Sequence, residues 1–141
     1  MDLQKKIDAI LERGAAPTVA IVRIGENEDC KAFESRAQEA GNAFAVAIEK
    51  FIFPEASDET DVMDVLEVIN DDHMLHALIL LRPLPEKFDE LKLRSMLNPV
   101  KDIEGRRWGS LAGTDDDTMQ KFLEAVADAA EAQLAETDDD K

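Results

Sequence analysis

Apolar positions along the chain recur at helical and strand spacings, and the two spacings alternate. Residues 2–13 place apolar side chains three or four positions apart, which predicts an amphipathic helix that stops at Gly14. The β-branched run over 18–24 lies between a proline and a glycine and predicts a strand that is buried on both faces. Helix-forming residues over 29–40, followed by a Gly-Asn pair, predict a second helix with a left-handed cap. The chain therefore opens as helix, strand, helix.

The same alternation continues through the middle of the chain. Residues 43–53 predict a second strand, and the acidic segment 57–61 predicts the start of a helix that ends at Asn70. Residues 75–81 form a strongly apolar run and predict a third strand, which two closely spaced prolines end. This order predicts an α/β fold, a small parallel-sheet three-layer sandwich with crossover helices. Functional residues are then expected at the carboxyl ends of the strands.

The last third of the chain predicts two more helices on either side of an irregular segment. Residues 86–98 have the spacing of a short helix, whereas 99–114 is rich in glycine, proline and charge and predicts a loop. The segment DDDT at 115–118 predicts the start of a last helix, which closes the sandwich. We therefore expect one domain over 1–135, followed by a disordered acidic tail over 136–141.

Composition narrows the classes of function. The chain has 32 acidic against 16 basic residues and a net charge of −16, which disfavours binding to the phosphates of nucleic acid. No apolar run approaches the roughly 20 residues of a membrane span, and the N-terminus lacks the apolar stretch of a secretion signal. The lone Cys30 cannot form an internal disulfide, and with His73 and His76 it does not complete a zinc site. We expect a cytoplasmic protein with no metal, nucleic-acid or membrane partner.

Three segments carry spaced motifs that fit the predicted strand ends. They are PTVAIVRIGENEDCKAFESRAQEAG at 17–41, LHALILLRPLPEKFDE at 75–90 and NPVKDIEGRRWGSL at 98–111. In this order they resemble the catalytic domain of bifunctional methylenetetrahydrofolate dehydrogenase/cyclohydrolases, whose motifs are Ser-x-x-Tyr-x-x-x-Lys, Gln-Leu-Pro-Leu-Pro and Pro-x-Lys-Asp-Val-Asp-Gly. The resemblance covers roughly residues 1–113 and implies a fold with a buried parallel sheet.

The resemblance also indicates what this chain lacks. Members of that family continue into a nicotinamide-binding Rossmann domain and return to the first domain through a C-terminal helix. No glycine-rich dinucleotide motif follows residue 113, and residues 118–135 resemble the returning helix. The resemblance therefore implies a truncated, stand-alone relative that holds no NAD(P).

The catalytic residues of the family are replaced. In the family a lysine transfers protons during ring opening, and a neighbouring glutamine adjusts its pKa. The resemblance places these two residues at Ala37 and Leu81, and neither side chain carries a proton. An alternative register, based on a helix one turn shorter, brings Arg36 near the lysine position, but a guanidinium stays protonated. We expect no catalytic residue and reduced catalysis.

By contrast, the resemblance implies that some of the family's ligand-binding positions keep side chains of the same kind. Phe33 takes the place of a tyrosine that stacks on folate, although its helical spacing also fits an ordinary core residue. Glu104 takes the place of the acid that holds the pterin nitrogens. Tetrahydrofolate or a related pterin is the implied ligand. The candidate ligand-binding residues are Phe33, Arg36, Ala37, Leu81, Pro83, Pro85, Asp102 and Glu104.

Two other functions stay open from the sequence. A vestigial pocket would leave an interaction or regulatory domain that docks onto a protein partner or a second copy. An altered cyclohydrolase would use Cys30, Arg36 or Glu104 in place of the lysine, since a thiol near a helix N-terminus often has a lowered pKa. Two interpretations stay open for the basic side chains within 82–107, namely contact with the glutamate tail of a folate or an ordinary solvated surface.

Overall fold

Three parallel strands form the centre of the fold. In residues 2–104 and 113–139, which the computed structural model describes, five helices surround this sheet. The elements are α1 (Leu3–Glu12), β1 (Thr18–Ile24), α2 (Glu28–Phe44), β2 (Ala47–Phe53), α3 (Glu59–Asp71), β3 (Ala77–Leu80), α4 (Glu90–Ser95) and α5 (Asp116–Asp139). The strand order is β2-β1-β3, so β1 lies in the middle. The predicted parallel sheet is confirmed.

The central strand has the bounds that its β-branched run predicts. Both neighbours run parallel to it, with Val19 opposite Ile48 of β2 and Ala77 of β3. A short bridge widens the sheet beyond β3, where the Leu78 N–H donates to the Lys101 carbonyl at 2.8 Å. This bridge brings the loop after α4 to the end of the sheet at which β3 stops.

Helices cover both faces of the sheet. Ile21 of β1 points into a core that α1, α2 and α5 enclose, whereas the adjacent Val22 points into a core beneath α3 and α4. In α5, Phe122 and Val126 are fully buried, so this helix is part of the first core. The three-layer sandwich with a closing C-terminal helix is therefore confirmed. Within the described ranges, no helix is both long and apolar enough to cross a bilayer.

The second helix is longer than predicted. It passes through Gly41 and ends at Phe44, and the left-handed cap is Ala45, with φ 62°. A Cβ on Gly41 would lie 2.8 Å from both Ile48 Cδ1 and the Val46 carbonyl oxygen. The glycine thus permits close approach of β2 instead of ending the helix, and β2 starts at Ala47. The register that favoured Arg36 depended on a shorter helix and loses that basis.

Three other predicted boundaries also move. The strand β3 is shorter than 75–81, because the Leu75 N–H still bonds to the turn after α3 at the Asp72 carbonyl. The helix α4 starts only after Asp89, whose side chain accepts a hydrogen bond from the Lys92 N–H. The helix α5 continues to Asp139, whereas the acidic composition predicts a tail that starts at residue 136. No glycine or proline interrupts that run of helix-forming residues.

Candidate ligand-binding site

A cavity of about 430 Å³ opens at the carboxyl ends of β1 and β3. The start of α2 forms one wall, the turn after β3 forms another, and Glu104 closes a third side. The volume lies in the range of small-molecule sites, and the location is the one that a parallel sheet predicts. The lining residues are Asp29, Cys30, Ala32, Phe33, Leu81, Arg82, Pro83, Glu104, Gly113 and Thr114.

A buried carboxylate lies on the cavity wall between two arginines. The Glu104 side chain is 5% exposed, with Oε1 3.4 Å from Arg94 Nη1 and Oε2 3.6 Å from Arg82 Nη2. Arg94 also donates to the Leu80 carbonyl at 2.9 Å, which ties α4 to the end of β3. The Asp102 carboxylate accepts from the Glu104 N–H at 3.1 Å. Asp102 therefore shapes the turn that carries Glu104, and it does not line the cavity.

Arg82 is a cavity residue that sequence reasoning missed as a site residue. Its side chain is 44% exposed, and its carbonyl accepts a hydrogen bond from the Cys30 thiol at 3.3 Å. The peptide bond between Arg82 and Pro83 is cis. A signal was present in the sequence, because Arg82 is the charged residue that directly follows the apolar run of the third strand. That position lies at the functional edge of a parallel sheet.

Phe33 serves both the core and the cavity. Its side chain lines the cavity, yet the residue is only 5% exposed. Its ring meets Phe122 edge to face, with centroids 5.5 Å apart. Leu81 lies on the same cavity and is 6% exposed. The aromatic and aliphatic walls are thus fixed by packing before any ligand binds.

The two positions that bear on proton transfer lie elsewhere. Ala37 is fully buried in the core beneath α2 and does not line the cavity. Arg36 points to a separate groove between α2 and α5, where Nη2 lies 2.6 Å from Asp116 Oδ1 and Nη1 lies 3.7 Å from Glu39 Oε2. The structure therefore does not bring Arg36 to the site that the sequence proposed for it.

The two prolines of the turn after β3 line different cavities. Pro83 lines the main cavity, whereas Pro85 lines a neighbouring cavity of about 330 Å³ with Gly25, Asn27 and Glu55. Pro83 also borders this second cavity. Of the expected proline wall, only Pro83 faces the cavity that holds Glu104.

Two of the basic side chains between 82 and 101 are bound by groups of the domain itself. Lys101 is 4% exposed and donates to the Ile69 and Asp72 carbonyls at 2.8 and 2.6 Å, so it caps α3, and its burial lowers its pKa. Lys92 is ion-paired with Glu59 at 3.0 Å. Contact with a glutamate tail is therefore disfavoured for Lys101 and Lys92. Arg106 and Arg107 lie outside the described residues.

Cys30 and the adjacent Lys31 are both engaged. Burial raises the pKa of the Cys30 thiol, which disfavours the nucleophilic role that the sequence left open for it. Lys31 lies at the surface, with Nζ 3.3 Å from Glu26 Oε2 and 3.5 Å from Glu28 Oε1. In the part of the chain that the structure describes, no three His, Cys, Asp or Glu side chains converge as a metal site.

Comparison with known proteins relates this site to one family. The sequence model of the tetrahydrofolate dehydrogenase/cyclohydrolase catalytic domain matches residues 1–104. The bifunctional protein FolD of Alkaliphilus metalliredigens is 32% identical over 103 residues, which are 73% of this chain and 36% of that protein. FolD of Pelotomaculum thermopropionicum is 28% identical over 104 residues, which are 74% of this chain and 37% of that protein. The chain thus spans little more than a third of the length of these relatives.

Solved structures show the same fold. The methylenetetrahydrofolate dehydrogenase-cyclohydrolase of Trypanosoma brucei superposes with a TM-score of 0.69 at 18% identity, covering 72% of this chain and 35% of that one. The FolD enzyme of Campylobacter jejuni superposes with a TM-score of 0.70 at 16% identity, covering 73% and 36%. At these identities the likeness establishes the fold.

Proposed function

Because the chain belongs to the tetrahydrofolate dehydrogenase/cyclohydrolase family, with residues 1–104 matching its catalytic domain, we propose that its cavity binds a reduced folate or a related pterin. One observation carries the proposal, namely the convergence of Phe33, Leu81 and Glu104 on a single cavity. Apolar and aromatic walls accept a flat ring, and a carboxylate accepts hydrogen bonds from amino and ring N–H groups. A pterin offers both features.

The surroundings of Glu104 support this assignment. Two guanidiniums lie within 3.6 Å of its oxygens and hold the carboxylate in place. An ionised carboxylate is a pure acceptor, and its hydrogen bonds to N–H groups are stronger than those between neutral groups. Since the side chain is 5% exposed, water competes little for it. We assign Glu104 the role of anchoring the amino edge of the ring.

We further propose that catalysis is reduced in this chain. Ring opening requires a group that takes up and returns a proton near neutral pH. Among the described residues that line the cavity, the Cys30 thiol has a raised pKa and donates to a carbonyl, a guanidinium such as that of Arg82 does not act as a base near neutral pH, and two arginines hold the Glu104 carboxylate. The motif resemblance places the family's lysine at Ala37, whose methyl group is buried. The relatives' names attach two activities to much longer proteins, and only ligand binding is proposed here.

Calorimetric titration with 5-formyltetrahydrofolate tests the proposal. We expect the wild type to bind, and Glu104→Gln to weaken binding about tenfold or more, because the neutral amide loses charge-assisted hydrogen bonds. Glu67→Gln is the matched control, since Glu67 lies exposed on α3, in the layer opposite the cavity. A ligand-induced rise in the thermal midpoint provides a second readout that does not depend on heat.

Absence of binding would contradict the proposal. If 5-formyltetrahydrofolate, tetrahydrofolate and tetrahydropterin all leave both the calorimetric signal and the thermal midpoint of the wild type unchanged, the cavity does not bind this class of ligand. Equal binding by the wild type and Glu104→Gln would remove the role assigned to the carboxylate. Circular dichroism checks that the variant retains its helices.

A further inference from the structure

Arg82 and Glu104 present opposite hydrogen-bonding groups side by side on one cavity wall. Arg82 Nη2 lies 3.6 Å from Glu104 Oε2, and both residues line the same cavity. A guanidinium only donates hydrogen bonds, whereas an ionised carboxylate only accepts them. The Arg82 side chain is 44% exposed, so its remaining N–H groups are accessible from the cavity. A ligand edge that pairs with both residues must carry an acceptor beside donors.

The two arginines that contact Glu104 have different roles. Arg94 lies outside the cavity lining, and it is held by the Leu80 carbonyl at 2.9 Å and the Glu90 carboxylate at 3.2 Å. It therefore fixes the orientation of the carboxylate from behind. Arg82 stands in the cavity itself, and the Cys30 thiol fixes its backbone carbonyl at 3.3 Å. Of the two, only Arg82 is placed to contact a ligand.

We propose that Arg82 determines which ring the site accepts, by donating to a ring carbonyl that lies next to the N–H groups held by Glu104. This inference rests on the proposed function. A 2-amino-4-oxo ring offers a carbonyl acceptor beside N–H donors and pairs with both residues. A 2,4-diamino ring offers a second amino group where Arg82 donates, which leaves donors facing donors. Glu104 also favours the 4-oxo ring, because that ring carries an N3–H beside its 2-amino group. The contribution of Arg82 is therefore the part of the preference that changes when Arg82 is replaced.

Paired titrations test the inference. Tetrahydrofolate and its 4-amino analogue, tetrahydroaminopterin, are each titrated anaerobically into the wild type, Arg82→Leu and Arg82→Lys. We expect the wild type to prefer the 4-oxo ligand about tenfold or more, since the unmatched ring leaves a charged donor unpaired. Arg82→Leu should reduce this preference severalfold, to the part that Glu104 supplies. Arg82→Lys, which keeps charged donors, retains part of it.

A control variant and three possible outcomes distinguish a failure of this inference from a failure of the proposed function. Lys87→Leu removes a positive charge from an exposed residue whose Nζ lies 5.3 Å from the Phe88 ring centroid, outside the cavity lining, and it should leave the preference unchanged. If Arg82→Leu binds both ligands and keeps the full preference, the inference is overturned while folate binding stands. If the wild type binds neither ligand, both fail. Arg82→Gln gives the same comparison should the leucine variant not fold.

Discussion

The Phe33 ring meets the Phe122 ring edge to face, with centroids 5.5 Å apart and an interplanar angle of 86°. This contact joins α2, which lines the cavity, to α5, which lies beyond the region that the family match covers. Phe122 is fully buried, whereas Phe33 also faces the cavity. The helix α5 therefore supports the wall that we assign to ligand binding, although it contributes no charged group to that wall.

Removing the ring of Phe122 is expected to destabilise the whole domain. Phe122→Ala should lower the free energy of unfolding by about 3–5 kcal/mol, because it deletes a fully buried ring and leaves a cavity in the core. Phe122→Leu, which refills part of that volume, should cost less, about 1–2 kcal/mol. Urea unfolding followed by circular dichroism measures both values. A loss below about 1 kcal/mol for the alanine variant would show that α5 does not support the core.

Two substitutions at the end of α2 should change the free energy of unfolding in the direction opposite to that predicted from helix propensity. Ala45→Gly should raise the free energy of unfolding by about 0.5–1 kcal/mol, because Ala45 has φ 62°, where glycine carries no steric penalty. Gly41→Ala normally stabilises a helix interior, but here the new Cβ would lie 2.8 Å from the Val46 carbonyl oxygen. We expect it to cost about 1–3 kcal/mol.

Thermal and urea unfolding of the two variants check this pair. A stabilising Gly41→Ala would mean that α2 ends at the glycine and that β2 does not pack against it. Ala43→Gly is a control, since it places a glycine at a helical position of α2 and should destabilise by about 1 kcal/mol, opposite in sign to Ala45→Gly.

The stability of the domain should fall in mild acid because of His76. Its Nδ1 accepts a hydrogen bond from the Thr18 N–H at 3.1 Å, which requires the neutral ring. Burial, and then the nearby Lys101 ammonium, lower the pKa of His76 below its ordinary value of 6.5. The unfolded chain therefore binds the proton more readily than the folded one. This contribution to stability is complete above the unfolded pKa and is lost as pH falls below it.

Urea unfolding at about pH 7.5 and about pH 5.5 measures this loss. His76→Asn keeps an acceptor but does not titrate, so it should lose less stability between the two pH values than the wild type. His73→Asn changes an exposed histidine and should behave as the wild type does. Equal losses in all three proteins would show that His76 makes no such contribution.

The sequence was most informative where one physical effect dominated. The β-branched run of β1 gave both ends of that strand, because a fully buried strand in a parallel sheet needs continuous apolar residues. The end of α2 was missed because Gly41 is required by the passage of β2, which is a long-range contact. The left-handed residue is Ala45, which has no local signal for that conformation.

Only part of the candidate site could be predicted from the sequence, again because local patterns do not show long-range contacts. Motif positions brought Phe33, Leu81, Pro83 and Glu104 to one cavity, since each lies near a strand end or on the loop that bridges to β3. Arg36 was misplaced, because the face that a residue presents on α2 depends on where α5 packs. Ion pairs between distant segments leave no trace in local patterns, so the arginines around Glu104 required the structure.

The chain should not hydrolyse methenyltetrahydrofolate above the rate of the buffer. The motif resemblance places the family's lysine at Ala37, which is a fully buried methyl group here, and the raised pKa of Cys30 favours the protonated thiol. Loss of methenyltetrahydrofolate absorbance, followed with and without protein, measures this directly. A rate that rises in proportion to protein concentration and disappears in Glu104→Gln would contradict reduced catalysis, because the cavity would then supply a proton carrier. A rate that persists in Glu104→Gln is measured again in Cys30→Ser, and its loss there would also contradict reduced catalysis. Only a rate that persists in both variants indicates a contaminating enzyme.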